Sequence, residues 1–268
     1  MRHIPASALT HSLQQSLSLL VSDCRKAEPI TLSLPEDADD FLVIFDPFSS
    51  AGTPFPLALL AICRVSETLW ECYAFTHPRK RRQGLFSQLL EGLCSLDRDW
   101  GTEDEIQLVF LSDHKSQDGM AAAKALDMEL WYSEYQMELP LCRWKKAHPI
   151  SAAPVLFLTE KTILEKGMEI EARDYYAYPV SSPSPSPEPI GTCRILPYSH
   201  SRFYLYHVEI FPVFRGKGWG QALLQEVFSR LPADGTILLQ VSSDNAPALS
   251  LYKKTGFRIT ETLSYYLY

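Results

Sequence analysis

Apolar residues change their spacing within the region 203–231. Residues 203–211 are almost all aromatic or β-branched, which is typical of a strand on a pleated surface. Pro212 ends this strand because proline cannot donate to a sheet ladder. From residue 219 to Leu231, apolar residues recur every three or four positions, which predicts an amphipathic helix. The region is therefore a strand, a short loop and a helix.

The loop between this strand and helix has the composition of an anion-binding site. It carries three glycines in five residues, which let the backbone approach a ligand closely, and it opens a helix whose first N–H groups are unpaired. Two cations add charge, so the loop predicts a bound di- or polyphosphate, with a plain turn bearing solvated cations as the alternative. Its residues are Arg215, Gly216, Lys217, Gly218, Trp219 and Gly220.

Two familiar phosphate motifs do not fit this loop. No Gly-Lys-Ser/Thr closes it, as a P-loop requires. Its glycines run G-x-G-x-G, whereas the dinucleotide fingerprint places its third glycine at position 221, where this chain has Gln221.

The stretch Pro212-x-x-Arg215-x-x-Gly218-x-Gly220 resembles the acetyl-CoA pyrophosphate loop of the GCN5-related N-acetyltransferases, the GNAT superfamily. After a predicted buried strand at 236–242, the chain resembles the second signature of that family, N-x-x-A-x-x-L-Y-x-x-x-G-F, from Asn245 to Phe257. Both motifs stand in order and at the expected separation. The resemblance covers residues 203–268 and implies a mixed-sheet α/β fold.

The resemblance also implies roles for particular residues. Backbone groups around Val208 and Ile210 would hold the pantetheine arm and the thioester carbonyl, and the loop 215–220 would hold the pyrophosphate. Asn245 would lie beside the pantetheine. Tyr252 falls where the family has its general acid, and a phenol can protonate a departing thiolate. The alternative for Tyr252 is an aromatic side chain packed on a helix face.

The general base is less well defined by the sequence. Some relatives place a glutamate where this chain has Gln240, which accepts no proton near neutral pH. Glu209 and His207 are the remaining candidates, and they share one face of the strand if it is regular, whereas a bulge would change their faces. Burial between apolar neighbours would raise the pKa of Glu209. The alternative for Glu209 is a salt-bridged strand residue.

A weaker copy of the strand, glycine loop and helix of residues 203–231 occurs in the first half of the chain. Pro78-x-x-Arg81-x-x-Gly84 repeats the loop motif, with Phe86 in place of the final glycine, and no Asn-to-Tyr signature follows it. The repeat predicts two tandem GNAT-like folds, a degenerate one over 1–142 and one with the acetyl-CoA loop over 150–268. We expect the first half to be structural or to bind CoA weakly. Other predicted elements are a helix at 8–26, strands at 41–45, 57–65, 69–76, 106–111, 130–139 and 154–159, a helix at 116–126 and a Pro/Ser hairpin loop at 179–189.

Charge, apolar runs and cysteine spacing indicate which partners and cofactors the chain is not expected to bind. The net charge is −7 and the pI is about 5.5, whereas nucleic-acid binders show a basic field, so no nucleic-acid partner is expected. No apolar run reaches the ~20 residues of a membrane span, and no signal-peptide pattern is present. The six cysteines are scattered without metal-ligand spacing, which favours reduced core residues, no metal and a cytoplasmic location.

These features together favour an acetyl-CoA-dependent N-acetyltransferase whose working site lies in the C-terminal half. The acceptor is a small-molecule amine or a protein amino group, and no residue pattern chooses between them. A non-catalytic acyl-CoA-binding regulatory or interaction module is the alternative, because Gln240 and the degenerate first repeat both depart from the family pattern. Transfer of a longer acyl group also fits the residues.

Overall fold

The computed structural model describes residues 1–48, 55–99, 106–148, 156–164, 171–180 and 188–268. The chain divides into two compact units. The first unit comprises Met1–Ser133 with Leu263–Tyr268, and the second comprises Glu134–Thr262.

The first unit contains a mixed sheet with helices on both faces. Its strands follow the order β1-β2-β3-β4-β5-β12, and every pairing is antiparallel except that of β4 with β5. The elements are β1 (Arg2–Pro5), α1 (His11–Ala27), β2 (Asp40–Phe45), β3 (Pro56–Arg64), β4 (Leu69–Thr76), α2 (Leu85–Asp99), β5 (Gln107–Ser112), α3 (Gln117–Ala125) and the end of β12 (Arg258–Leu267).

Helical spacing of leucines explains the two sides of this core. In α1 the side chains of Leu17, Leu20 and Val21 are buried against one face of the sheet. Leu89 and Leu93 of α2 are buried against the other face. Thr10 caps α1 by accepting a hydrogen bond from the Leu13 backbone N–H.

The second unit has a six-stranded mixed sheet covered by helices on one face. Its strand order is β6-β11-β10-β9-β8-β7, and only β10 and β11 run parallel. All three helices contribute side chains to a single core cluster. The elements are β6 (Glu129–Pro140), α4 (Leu141–Ala147), β7 (Leu156–Leu164), β8 (Glu171–Pro179), β9 (Gly191–Ser199), β10 (Arg202–Ile210), α5 (Trp219–Arg230), β11 (Thr236–Ser242) and α6 (Ala246–Thr255).

The last strand of each repeat pairs with a strand of the other repeat. β6 follows α3 in the chain, yet its residues 134–140 pair with β11 in the second unit. β12 follows α6, yet its residues 264–267 pair with β5 in the first unit. The compact units therefore differ in composition from the segments 1–142 and 150–268 that the sequence suggested.

Several local expectations are corrected by the structure. A strand that the sequence did not predict, β1, pairs with β2, and the helix α4 (Leu141–Ala147) spans the end of the first predicted domain at residue 142. Cys142 is exposed, so not every cysteine is a core residue. Residues 181–187 of the Pro/Ser tract lie outside the described residues, while the strands on either side of the tract pair antiparallel.

Candidate active site

The phosphate loop predicted from the sequence joins β10 to α5. A single 3-10 turn over Pro212–Phe214 follows β10, and then Gly216 and Gly218 adopt positive φ angles of 74° and 81°. Gly218 is the N-cap of α5 and has no side chain to satisfy the first helical N–H groups. A Cβ atom at either glycine would meet nothing within 4 Å. The loop backbone is thus open on the side where a phosphate would approach.

The two cations of the loop are exposed and are held by backbone oxygens. Arg215 donates from Nε to the carbonyl oxygen of Ile210 at 2.8 Å. Lys217 donates from Nζ to the carbonyl oxygen of Val213 at 3.1 Å. Among the described residues neither side chain has an ion-pair partner, so their charges are available to an anion.

The third glycine of the loop has a packing role. Gly220 lies inside α5, and a Cβ there would approach Leu251 of α6 to 3.2 Å and Ile210 to 3.6 Å. Trp219, the first residue of α5, is half-buried against the core of the second unit. Gly220 therefore brings α5 and α6 together, whereas Gly216 and Gly218 shape the loop.

The two parallel strands at the centre of the second unit separate before they reach this loop. β10 pairs with β11 only at residues 202–204, although β10 continues to Ile210 and β11 to Ser242. The backbone groups at the end of β10 that face β11 have no ladder partner there. Unpaired backbone N–H and C=O groups in such a gap can hydrogen-bond an extended amide chain. The end of β10 at this gap is followed by the loop that opens α5.

A β-bulge in β10 determines which side chains face this gap. The pairing of β10 with β9 shifts between Tyr206 and Glu209, and His207 has a φ angle of 50°. Residues paired across antiparallel strands share a face. Tyr206 opposite Arg194 and Glu209 opposite Thr192 therefore point to the same side.

In a regular strand the two candidate bases, His207 and Glu209, would share a face. The bulge lies between Tyr206 and Glu209 and interrupts that alternation. Both Glu209 and His207 are exposed, so the burial expected for Glu209 is not found. Val208 and Ile210 are half-buried against the core. At Gly191, opposite Ile210, an added Cβ would stand 2.5 Å from the Glu209 carbonyl oxygen, so glycine permits the close approach of β9.

The residues of the second signature lie on α6. Asn245 is the N-cap of this helix and accepts a hydrogen bond from the Ala248 backbone N–H at 3.1 Å. Tyr252 is buried in the core, with its ring 5.6 Å from that of Phe257. Burial, together with the nearby Cys193, raises the pKa of Tyr252 to about 12. Its phenol therefore stays protonated at neutral pH, as a proton donor must.

A polar cluster that sequence reasoning missed lies on the sheet face opposite the helices. Arg194 forms two hydrogen bonds to Asp174, at 2.5 and 3.0 Å, and its guanidinium lies 5.6 Å from the ring centre of Tyr206. The pairing with Asp174 raises the pKa of Arg194. Strand alternation could have placed these residues on the polar face, but only the register shows that Glu209 lies on the same face.

The first unit contains the same loop in modified form. A 3-10 turn at Pro78–Lys80 follows β4, and Arg82 and Gly84 have φ angles of 58° and 76°, like the two glycines of the other loop. Arg81 donates from Nε to the Thr76 carbonyl oxygen at 3.2 Å, as Arg215 does to its own strand. Arg81 and Arg82 differ from the cations of the other loop, since they form ion pairs with Glu28 and Asp118.

Among the residues that the structure describes, no helix is both long and apolar enough to cross a membrane. Across the same ranges, no group of three or more His, Cys, Asp or Glu side chains is arranged to hold a metal ion.

Comparison with known proteins agrees with the loop and the fold. Residues 143–257 match the acetyltransferase (GNAT) family model. This segment contains β10, the phosphate loop, α5, β11 and α6. The match therefore identifies an acetyltransferase (GNAT) domain over residues 143–257. A comparison with curated proteins found no significant match.

Solved structures share the fold over the whole chain. A GCN5-related N-acetyltransferase from Sphaerobacter thermophilus aligns with a TM-score of 0.62 at 14% identity, over 100% of this chain and 95% of its own. A tandem GNAT protein from the clavulanic acid biosynthesis pathway aligns with a TM-score of 0.65 at 14% identity, over 100% and 98%. A GNAT-family acetyltransferase from Colwellia psychrerythraea gives 0.53 at 11% identity, with both chains fully covered. At these identities the likeness concerns the fold.

Proposed function

We propose that the second unit transfers an acetyl group from acetyl-CoA to a primary amine of a small molecule or a protein. The observation that carries this proposal is the gap between β10 and β11 together with the open loop beside it. The gap offers unpaired backbone groups to a pantetheine arm. The loop offers helix N–H groups and two exposed cations, Arg215 and Lys217, to a pyrophosphate.

The proposed binding residues follow from this placement. The backbone of Val208 and Ile210 holds the pantetheine and the thioester carbonyl, and the loop from Arg215 through Gly216, Lys217, Gly218, Trp219 and Gly220 holds the pyrophosphate. Asn245, which already caps α6, lies at the start of the helix that flanks the pantetheine. Backbone donors aimed at the carbonyl oxygen stabilise the negative charge that develops on it.

The reaction uses one base and one acid. Glu209 takes a proton from the ammonium, and the neutral amine attacks the thioester carbonyl carbon to form the new C–N bond. The C–S bond then breaks, and the departing thiolate receives a proton from the Tyr252 phenol. The remaining excess proton on the amide nitrogen is lost to solvent, from which the phenolate is reprotonated, and Glu209 releases its own proton to water, so the net products are the amide, the CoA thiol and one proton. Glu209 is suited to its part because the bulge turns it towards the polar face, where it is exposed to an incoming amine.

The acceptor approaches from the polar face of the sheet. That face carries Glu209, the half-buried rings of Tyr204 and Tyr206, and the Arg194–Asp174 pair. Carboxylate and aromatic groups favour a cationic amine over an anion. The described helices of this unit all pack against the opposite face, which leaves the polar face to the acceptor.

A non-catalytic acyl-CoA-binding module remains the second candidate, and one observation favours it. Gln240 lies on β11 opposite Gln136, at the position where some relatives carry a basic carboxylate. A module of this kind would bind acetyl-CoA in the same gap without turnover.

Release of free CoA thiol distinguishes the two candidates. Acetyl-CoA is mixed with a panel of polyamines, amino sugars, amino acids and lysine-bearing peptides, and thiol is measured by a colorimetric reagent. We expect amine-dependent release that Glu209→Gln lowers, while Glu171→Gln, an exposed carboxylate on β8, leaves it unchanged. Binding of acetyl-CoA without release by any amine would favour the module.

A further inference from the structure

The first unit contains a cavity of about 490 Å³ that the proposed reaction does not use. It lies where β4 and β5 separate, since these parallel strands pair only from Leu69 opposite Gln107 to Cys72 opposite Phe110. The ends of both strands, the start of α2 and one side of α3 form its wall. Its volume is in the range of small-molecule sites.

The end of this cavity that would receive a pyrophosphate is already occupied by two carboxylates of the chain. Glu28 accepts a hydrogen bond of 2.6 Å from Arg81 and another of 3.1 Å from the Gln117 backbone N–H at the start of α3. Asp118 accepts bonds of 2.7 and 3.1 Å from Arg82 and contacts Arg81 at 3.4 Å. Two of the four loop cations, Arg81 and Arg82, are thus neutralised from within, and so is the N-terminus of α3, whereas Lys80 also lines the cavity.

Among the described residues of the second unit, no carboxylate stands at the position equivalent to Asp118. Gly216 stands where the first loop has Arg82. Counting from the N-caps of α3 and α6, which are Ser116 and Asn245, Pro247 stands where α3 has Asp118. A diphosphate would find open backbone and exposed cations in the second unit. In the first unit it would have to displace two charge-assisted hydrogen-bonded pairs.

The interior of the cavity is unsuited to a charged ligand. Its walls include Ala74, Phe86, Ala122 and Met128, and burying an unpaired charge among apolar side chains is costly. The one carboxylate deeper in the wall is Asp113. Burial would raise its pKa, but backbone hydrogen bonds from Lys115, Thr31 and Leu32 hold the pKa below its usual value. Asp113 is therefore ionised and would repel an anion.

The aromatic side chains in the wall indicate the shape of ligand that fits. Phe86 occupies the position of Gly220 in the other repeat, and its ring meets that of Phe110 edge-to-face at 5.9 Å between centroids. A glycine at that position packs helices together, whereas a phenylalanine adds an apolar surface. Aromatic walls pair favourably with a ring through offset or edge contacts.

We propose that the cleft of the first unit is a binding site for an uncharged, ring-bearing apolar small molecule, and that Glu28 and Asp118 exclude CoA from it. This site is separate from the acetyl-transfer site of the second unit. It gives the first repeat a ligand of its own, of a chemical class different from that of the acetyl donor.

Nile red, an uncharged ring-bearing dye whose fluorescence rises in apolar surroundings, is the probe for this site. The full chain is titrated with dye in the presence of excess CoA, so that any CoA-binding site is filled. We expect one dye bound per chain. Ala122→Phe, which fills the cavity, should weaken dye binding about tenfold or more, which is about 1.4 kcal/mol. Ala125→Phe, an exposed site on the same helix outside the cavity wall, should leave it unchanged.

If Ala122→Phe fails to fold, a double variant of the two carboxylates still tests the proposal. Glu28→Gln combined with Asp118→Asn removes both anions, and calorimetry should then count one more CoA per chain than in the wild type. This difference is independent of whether the second unit binds CoA. Displacement of the dye by CoA in the wild type, equal dye binding by the Ala122 and Ala125 variants, or no dye bound at all would overturn the proposal. An unchanged CoA count in the double variant would overturn the role of the two carboxylates.

Discussion

The guanidinium of Arg215 is tied to the strand that precedes it, because its Nε donates to the carbonyl oxygen of Ile210 at 2.8 Å. The bond fixes the arginine beside the N-terminus of α5 and leaves its terminal nitrogens for another partner. Arg81 makes the same bond to Thr76 at 3.2 Å in the first unit. The two loops therefore share the same arginine-to-strand hydrogen bond. They differ in ion pairing, because within the described part of the chain Arg81 pairs with carboxylates and Arg215 does not.

Gly218→Ala should weaken acetyl-CoA binding strongly. The residue has a φ angle of 81°, which costs a non-glycine residue about 1 kcal/mol, and a methyl group there would stand where the phosphates approach. We expect a loss of about tenfold or more in affinity, measured by calorimetry. Gly84→Ala is the matched control, with a φ angle of 76° and equally open surroundings. Equal losses in both variants would mean that strain, and not the ligand, explains the effect.

Tyr252→Phe should lower turnover with little change in acetyl-CoA affinity. The phenol is expected to act only when the thiolate departs, so the substitution removes an interaction of the transition state. General acid catalysis contributes about 10²- to 10⁴-fold, which sets the expected fall in the rate constant. Single-turnover thiol release measures it. A rate equal to that of wild type would leave Tyr252 with its packing role alone.

The same tyrosine makes a testable contribution to stability at high pH. Burial raises the pKa of Tyr252 to about 12, above its ordinary value of about 10, so the folded state holds the phenol proton more tightly. The contribution is fully present below about pH 10 and is lost as the pH rises through about 12. In urea titrations, wild type should lose on the order of 1–3 kcal/mol more than Tyr252→Phe across that interval. Equal losses of unfolding free energy in wild type and Tyr252→Phe would contradict the raised pKa of Tyr252.

Gly191→Ala should destabilise the second unit through the bulge. Its Cβ would stand 2.5 Å from the backbone oxygen of Glu209, which cannot move away as a flexible side chain could. Overpacking of this kind costs about 1–3 kcal/mol, and urea unfolding would measure it. Glu209 should also lose its orientation, so turnover would fall more than the folded fraction does. A variant with wild-type stability would show that β9 and β10 adjust freely.

Much of this architecture is readable from the sequence, because apolar spacing is a local property. The strand β4 (Leu69–Thr76) and the strand β11 (Thr236–Ser242) have the predicted bounds, and α5 ends one residue early. The glycine loop and the helix that follows it were also predicted, since they lie within a few residues. The four-residue strand β1 was missed because so short a segment carries no clear period.

What the sequence did not predict depends on distant partners. Strand alternation cannot show that β6 pairs with β11 and β12 with β5, because the pattern of a strand does not name its neighbour. Sequence reasoning left open whether β10 is regular or bulged, and only the pairing with β9 shows the bulge that turns Glu209 to the face of Tyr206. Arg81 and Glu28 are 53 residues apart, so their pairing needed the fold.

Calorimetric titration with acetyl-CoA tests the central claim most directly, when wild type is compared with Arg215→Ala combined with Gly218→Ala. Arg230→Ala, an exposed arginine at the far end of α5, is the matched charge control. We predict one acetyl-CoA per wild-type chain, the same for the control, and none for the loop variant. Unchanged binding by the loop variant, or no binding by wild type, would contradict the assignment of the donor to the second unit.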